Sequence, residues 1–437
     1  MSLSLPLQKR PQRAYPVIIL VIALPLSFRT FQYFPGFTLI QEAWFILVAL
    51  ALAFSYLTWR KRQGGTPKGF EAYVLLLMLV IPFWSALAAW REFDQPMIYG
   101  LLVHRYLALI AGVPLLIGIA ISRHHITFKD LEAALLILVW STFALFLVMY
   151  LGLNPSSYFD SFGVGFVTGS MDEAQFKFEL VFVVFGFYYY LFRGMRRESP
   201  RDYIRAGGLF LFMLLAIRGR SLMLSLLGAY VVLAWLWAPN LASRFRFLPK
   251  VALAIAVVWA GLFFLNHDLY LALMDKFSDA FTVVFSGDSV DDVSANARIE
   301  QTVLAMPYIT KNWLTGNGVI SNQWSGGTES VMSGYFHPTD IGIIGVVFQY
   351  GVLGLFLCLI QFGYAFAFAR KRISAPSEVF DLLRAAKAQI LFYGFTSLST
   401  GYFIYRPEII LFFIGLLWMA SNVYDSKAPR PIFGTGT

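Results

Sequence analysis

Charge is what this chain lacks most: 14% of its 437 residues are Asp, Glu, Lys or Arg, against roughly 25% in soluble domains. Cysteine is nearly absent too, and Cys358 alone excludes both an intramolecular disulfide framework and a thiolate metal site. No internal repeat, heptad pattern or low-complexity run is evident. What is present is apolar surface, with 58% of residues hydrophobic and 17% aromatic. Such a composition belongs to a membrane protein and leaves no soluble domain of useful size.

Apolar runs long enough to cross a hydrocarbon core of roughly 30 Å recur along the whole chain. They are placed near 15–30, 38–59, 72–90, 98–122, 131–152, 175–192, 206–219, 221–238, 251–266, 340–369, 386–404 and 407–424. The fold class expected is therefore an all-α integral membrane protein of about twelve transmembrane helices, residues 1–437 forming a single polytopic domain. Basic residues collect in alternate connections, among them Lys9, Arg10, Arg13, Arg60, Lys61, Arg62, Arg193, Arg196, Arg197, Arg370, Lys371, Arg372, Lys427 and Arg430. By the positive-inside rule those connections and both termini are cytoplasmic. The formal net charge of +9 then reflects topology and calls for no nucleic acid. The opening basic and apolar stretch has a signal peptide's outline but no small-residue cleavage site, so it reads as an uncleaved first span.

The opposite face holds one long connection, residues 266–337, expected as a loop between spans nine and ten. Loops of that length are usually functional when ordered. Helical spacing of apolar residues in "HDLYLALMDKFSDAFTVVF" and "ARIEQTVLAMPYI" predicts two amphipathic helices on the membrane or on the bundle. A Gly, Ser and Asn-rich run, "NWLTGNGVISNQWSGGTESVMSG", follows.

Arg29, Arg91, Arg218, Arg220 and Arg406 fall at the outer ends of spans, where cations oppose the topology rule and ask for an anion. The plain explanation is that they snorkel to headgroups or pair with Glu92, Asp94, Glu173 or Glu408. In "IRGRS", however, Arg218 and Arg220 present two guanidinium forks around one glycine, which suits a phosphate or diphosphate. The tenth span opens with "HPTDIG". Proline favours the first helical position, so His337 is expected where loop becomes helix, with Asp340 three residues on and on the same side. A carboxylate beside imidazole is the arrangement of a general base, and the structural alternative is capping by Thr339 and Asp340. Gly342, Gly345, Gly351 and Gly354 read as positions where other helices approach closely. Asp288, Asp291 and Asp292 in "GDSVDDV" read as a solvated turn, so neither metal nor cofactor is expected.

The arginine in "SANARIEQTVLAMPYI" (Arg298), then "NWLTGNGVIS", then a histidine opening a span that ends "QYGVLGLFLCLI" together resemble the O-antigen polymerase and O-antigen ligase superfamily. The likeness covers the second half of the chain well and the first half as hydropathy alone. It implies a glycosyltransferase acting on undecaprenyl-diphosphate-linked glycans at the periplasmic face of the bacterial inner membrane. Within it, Arg218, Arg220 and Arg298 would take the lipid diphosphate and His337 the acceptor hydroxyl; the spacing of Asp340 makes it the candidate to orient that histidine. Arg29, Arg91 and Arg406 are candidates for a second anionic site. Histidine followed by "PTDIG" looks more like the polymerases of surface polysaccharides, which join two lipid-linked repeats. A ligase would instead use lipid A core oligosaccharide as acceptor. A transporter or flippase is the more distant alternative, disfavoured because the ionisable residues gather at one face and the two halves do not repeat.

Overall fold

The structure is a computed structural model and describes residues 14–32, 34, 36–63, 69–158, 167–168, 175–217, 220–237, 293–332 and 336–425, with isolated positions between 260 and 274. Among them, six helical stretches are long and apolar enough to cross a membrane: Phe37–Trp59, Phe70–Phe93, Arg105–Ser122, Phe128–Gly152, Pro338–Arg370 and Pro407–Tyr424. Ala14–Ser27 and Leu224–Leu236 are shorter apolar helices. The chain is a multi-pass, all-α membrane protein, whose described strands amount to a two-residue antiparallel ladder, Val167–Thr168 with Gln175–Phe176. Most of the ninth expected span and of the first amphipathic helix lies outside the described residues.

In chain order the helices are α1 (Ala14–Ser27), α2 (Phe37–Gln63), α3 (Phe70–Phe93), α4 (Met97–Val103), α5 (Arg105–Ile110), α6 (Val113–Ser122) and α7 (Phe128–Gly152). After the ladder come α8 (Val181–Arg197), α9 (Pro200–Ile217), α10 (Arg220–Trp237), α11 (Val293–Lys311) and α12 (Gly327–Met332). A 3-10 turn, Pro338–Ile341, leads into α13 (Gly342–Arg370), followed by α14 (Phe380–Thr400), α15 (Tyr402–Tyr405) and α16 (Pro407–Tyr424).

Three expected spans differ in detail. The run at 98–122 is three helices, interrupted at His104 and again at Ala111–Gly112. Pro114, which has no N–H, sits in the first turn of the last piece and removes the bond that would carry one helix through. The run expected from 175 becomes helical only at Val181, because Gln175 and Phe176 pair with the preceding strand. The run at 340–369 is broken at Gly351, with φ 64° and ψ −164°.

Helices α16 and α8 form the centre. Every residue from Pro407 to Leu417 is buried, as is every residue from Val181 to Gly186, the signature of a helix surrounded by others. Helix α14 packs between α8, α10, α13 and α16. Helix α2 lies outside, with Leu39, Leu50, Phe54 and Leu57 largely exposed, an apolar exterior suited to lipid. Helices α8 and α14 run antiparallel, with Arg196 Nε donating to Asp381 Oδ1 at 2.9 Å where α8 ends and α14 begins; at the opposite end Glu179, just ahead of α8, pairs with Arg406, which opens α16. Lys371 joins Asp425 at 3.2 Å on the Arg196 side. The Arg406 end is the one that gathers the site candidates.

Candidate functional site

His337 enters that end in extended backbone, φ −122° and ψ 99°, as a residue before proline must. Its main-chain N–H donates to Gln301 Oε1 at 2.8 Å, and its carbonyl accepts from the Asp340 N–H at 2.9 Å. The ring stays accessible, with 46% of the side chain exposed, and Nε2 lies 3.4 Å from Glu329 Oε1. The carboxylate beside the imidazole is thus contributed by α12, whereas the sequence pointed to Asp340. Asp340 itself accepts a long bond from Thr339 Oγ1 at 3.4 Å and faces Lys177. Half-burial pushes the Lys177 ammonium below the usual lysine range, and the nearby Asp340 carboxylate works against that shift.

Helix α11 exists as the apolar spacing of "ARIEQTVLAMPYI" predicts, spanning Val293–Lys311. Arg298 is exposed on it, and Gln301 follows at 1% exposure. Ala305 of α11 joins Met332, Phe336, Ile341 and Phe348 in a small core separate from the main one. That core brings Arg298 and His337, 39 residues apart in sequence, onto one packed unit.

The "NWLTGNG" run plugs the break in α13. Asn317 donates from both N and Nδ2 to Phe348 O at 2.9 Å, Gly318 N donates to Gln349 O at 2.8 Å, and Val352 N donates to Trp313 O at 2.9 Å. The main-chain groups freed at Gly351 are therefore bonded to this loop, as an interrupted helix at membrane depth requires. A Cβ on Gly316 would meet Gly351 N at 2.4 Å, and one on Gly318 would meet Ser85 O at 2.3 Å. The loop is also held to α3 through Trp84 Nε1 on Thr315 O at 3.0 Å, Lys311 on Glu92 at 2.8 Å, and Asn312 on Glu92 at 2.8 Å. The glycines of α13 correct the sequence reading on this point: backbone meets Gly345 and Gly351 from the chain's own turn and loop, not from other helices.

The arginines divide into groups. Arg29 and Arg406, 9% and 7% exposed, share the buried Glu408, at 2.8 and 2.9 Å. Arg406 also reaches Glu179 and Phe28 O, and Arg29 reaches Tyr405 O at 2.9 Å and lies over the Tyr106 ring. Burial pushes the Glu179 carboxyl up from its usual range, against the pull of Arg406. Arg91 is exposed in the last turn of α3. Arg220 begins α10, and Arg218 lies outside the described residues.

No protein-family model matches the chain. A sequence comparison with curated proteins also finds no match. Among the described residues no three His, Cys, Asp or Glu side chains converge as a metal set, and Asp288, Asp291 and Asp292 lie outside them. Sequence reasoning missed Gln301, Glu329 and Lys177. Gln301 is one helical turn beyond Arg298, a spacing that could have marked it; Glu329 and Lys177 reach the site through tertiary packing that leaves no local pattern.

Proposed function

We propose that this protein is a membrane glycosyltransferase that moves a glycan from polyprenyl diphosphate to an acceptor hydroxyl at the periplasmic face of a bacterial inner membrane, and that it is a polymerase of surface polysaccharide. The observation that carries this reading is the tether from Gln301 on the Arg298 helix to the main chain of His337, whose ring is accessible. An anion-binding fork and a proton acceptor then belong to one rigid unit.

In the reaction the bond between the sugar anomeric carbon and the diphosphate oxygen breaks while the acceptor oxygen bonds that carbon. With Nε2–H directed at Glu329, His337 carries its lone pair on Nδ1 and takes the acceptor's proton there. Arg298, Arg218 and Arg220 stabilise the negative charge growing on the departing diphosphate, a role for which planar two-pronged donors suit phosphate oxygens. The reading gives Arg91 a place at the second anionic site that a polymerase needs. Arg29 and Arg406, buried with their forks engaged by Glu408 and Glu179, hold the bundle together and do not belong to that second site. A groove of about 210 Å³ lined by Ile343, Val346, Leu355, Leu359, Phe362 and Phe403 begins one turn after Asp340 and suits an isoprenoid tail. The finer topology of twelve spans, cytoplasmic termini and a periplasmic 266–337 loop belongs to the same proposal, as does activity without a metal or cofactor.

The test is the glycan made without this protein. A strain lacking it should accumulate single repeat units with long chains absent; long chains stranded on the lipid carrier would make the protein the ligase, and unchanged glycans would overturn the reading. In the complemented strain, His337→Ala should slow transfer by about 100-fold or more, the scale of general-base help, while donor binding persists.

A further inference from the structure

His337 is held by contacts from outside its own segment, and the tighter one is on its main chain. Gln301 Oε1 accepts the His337 N–H at 2.8 Å from a side chain only 1% exposed. Pro338 removes the next main-chain donor, and the His337 carbonyl is taken by the Asp340 N–H at 2.9 Å, so both main-chain groups of the residue are fixed while its ring remains open. Ala305, one turn beyond Gln301 on α11, and Phe336, next to His337, belong to one buried apolar core with Met332 and Ile341. In such an apolar setting a hydrogen bond is strong, and an orphaned N–H is costly. Gln301 also stands three residues after Arg298 on α11, on nearly the same side of that helix. One amide therefore joins the helix that carries the exposed fork to the main chain of the residue that carries the exposed ring.

We propose that Gln301 is a positioning residue that registers the His337 imidazole against Arg298. The inference rests on the glycosyltransferase reading for its catalytic consequence, and on geometry alone for the tether. Displacing a reacting group by about 1 Å can lower a rate by roughly 100-fold, so the register itself has kinetic weight.

The experiment compares Gln301→Met, which fills the space without an acceptor, with Gln301→Glu, whose carboxyl can still accept the N–H. In purified protein supplied with lipid-linked repeats, Gln301→Met should lower kcat by about 10- to 100-fold with KM for the donor within about twofold, and Gln301→Glu should recover most of kcat. A general packing defect would lower stability and raise KM together, with no recovery in the Glu variant. Amide exchange resolved at residues 336–337 by mass spectrometry decides the tether without any turnover. The His337 amide should be protected in the wild type and lose protection in Gln301→Met. Should the Met variant fail to fold, wild-type exchange and Gln301→Glu kinetics still decide. Wild-type kcat in Gln301→Met, or a wild-type His337 amide exchanging at the free-chain rate, overturns the proposal. A wild type that transfers no glycan overturns the functional reading instead, leaving the exchange result to judge the tether.

Discussion

A buried guanidinium is only tolerated where its charge and its donors are met, and Arg406 shows how completely one site can meet them. Its Nε is on Glu408 at 2.9 Å, Nη1 on Glu179 and Nη2 on Phe28 O, which ties α16, the approach to α8 and the end of α1 together. Arg406→Leu should therefore destabilise the protein by about 3–5 kcal/mol, the usual effect of leaving buried carboxylates one cation short. The exposed Arg91→Leu should stay within about 0.5 kcal/mol. Thermal unfolding in detergent compares them, and equal effects would refute a structural role for the quartet. Lys177 supports a prediction in pH. Half-burial lowers its pKa from the usual 10.5, against Asp340, so in the window just below 10.5 the unfolded chain binds the proton more readily than the folded one. The penalty for holding the ammonium is full below the lowered value and fades as pH rises, so stability gains with pH in that window. Subtracting the stability of Lys177→Met from that of the wild type should leave a difference that climbs as pH rises toward 10.5; a flat difference would show that burial does not govern this lysine.

At the scale of elements, the break in α13 and the loop that fills it form one device. Gly351 at φ 64° meets Leu314 O and Gly316 N at 2.3 and 2.5 Å from where a Cβ would stand. Gly351→Ala combines left-handed strain with a clash against backbone, so it should cost about 2–5 kcal/mol. Gly363→Ala, in the same helix with nothing within 4 Å, should be neutral or stabilise by up to about 1 kcal/mol. Urea or thermal unfolding of the two in parallel checks this, and a harmless Gly351→Ala would mean that the loop does not depend on the break. The device also marks the boundary of what hydropathy can read. "NWLTGNG" and "QYGVLGLF" are each conspicuous in the sequence, and the long helix, its apolar faces and the histidine at its start were all legible there. Their pairing was not, because the bonds that repair the helix come from residues some 35 positions earlier, and no period or spacing encodes such a contact. Glu329 escaped for the same reason: it belongs to a short helix that only tertiary packing brings to His337 Nε2.

For the whole molecule, the placement of charge argues for an orientation. Arg196 near the end of α8 pairs with Asp381 at the start of α14, and beyond the other end of α8 Glu179 pairs with Arg406 at the start of α16, so the bundle has two chemically distinct poles. The first gathers Arg193, Arg196, Arg197, Arg201, Arg205, Lys371 and Lys387 at and near the adjoining ends of α8, α9, α13 and α14. The second holds His337, Glu329 and the Arg298 helix. On the proposed reading the positive-inside rule makes the first pole the cytoplasmic one, and a lipid-linked glycan on the far side would then meet only the second. This can be tested in intact cells, because Cys358 is the single cysteine and is buried. In a Cys358→Ala background, Ser330→Cys on α12 and Arg197→Cys at the end of α8 occupy exposed positions at opposite poles. An impermeant maleimide applied to cells with a permeabilised outer membrane should label the Ser330→Cys protein and spare the Arg197→Cys protein until the inner membrane is lysed. The reverse pattern would put His337 in the cytoplasm, where nucleotide sugars and not periplasmic lipid-linked repeats are the available donors, and would dismantle the glycan-polymerase reading. Labelling of both before lysis would show that the two poles do not lie on opposite sides of one membrane.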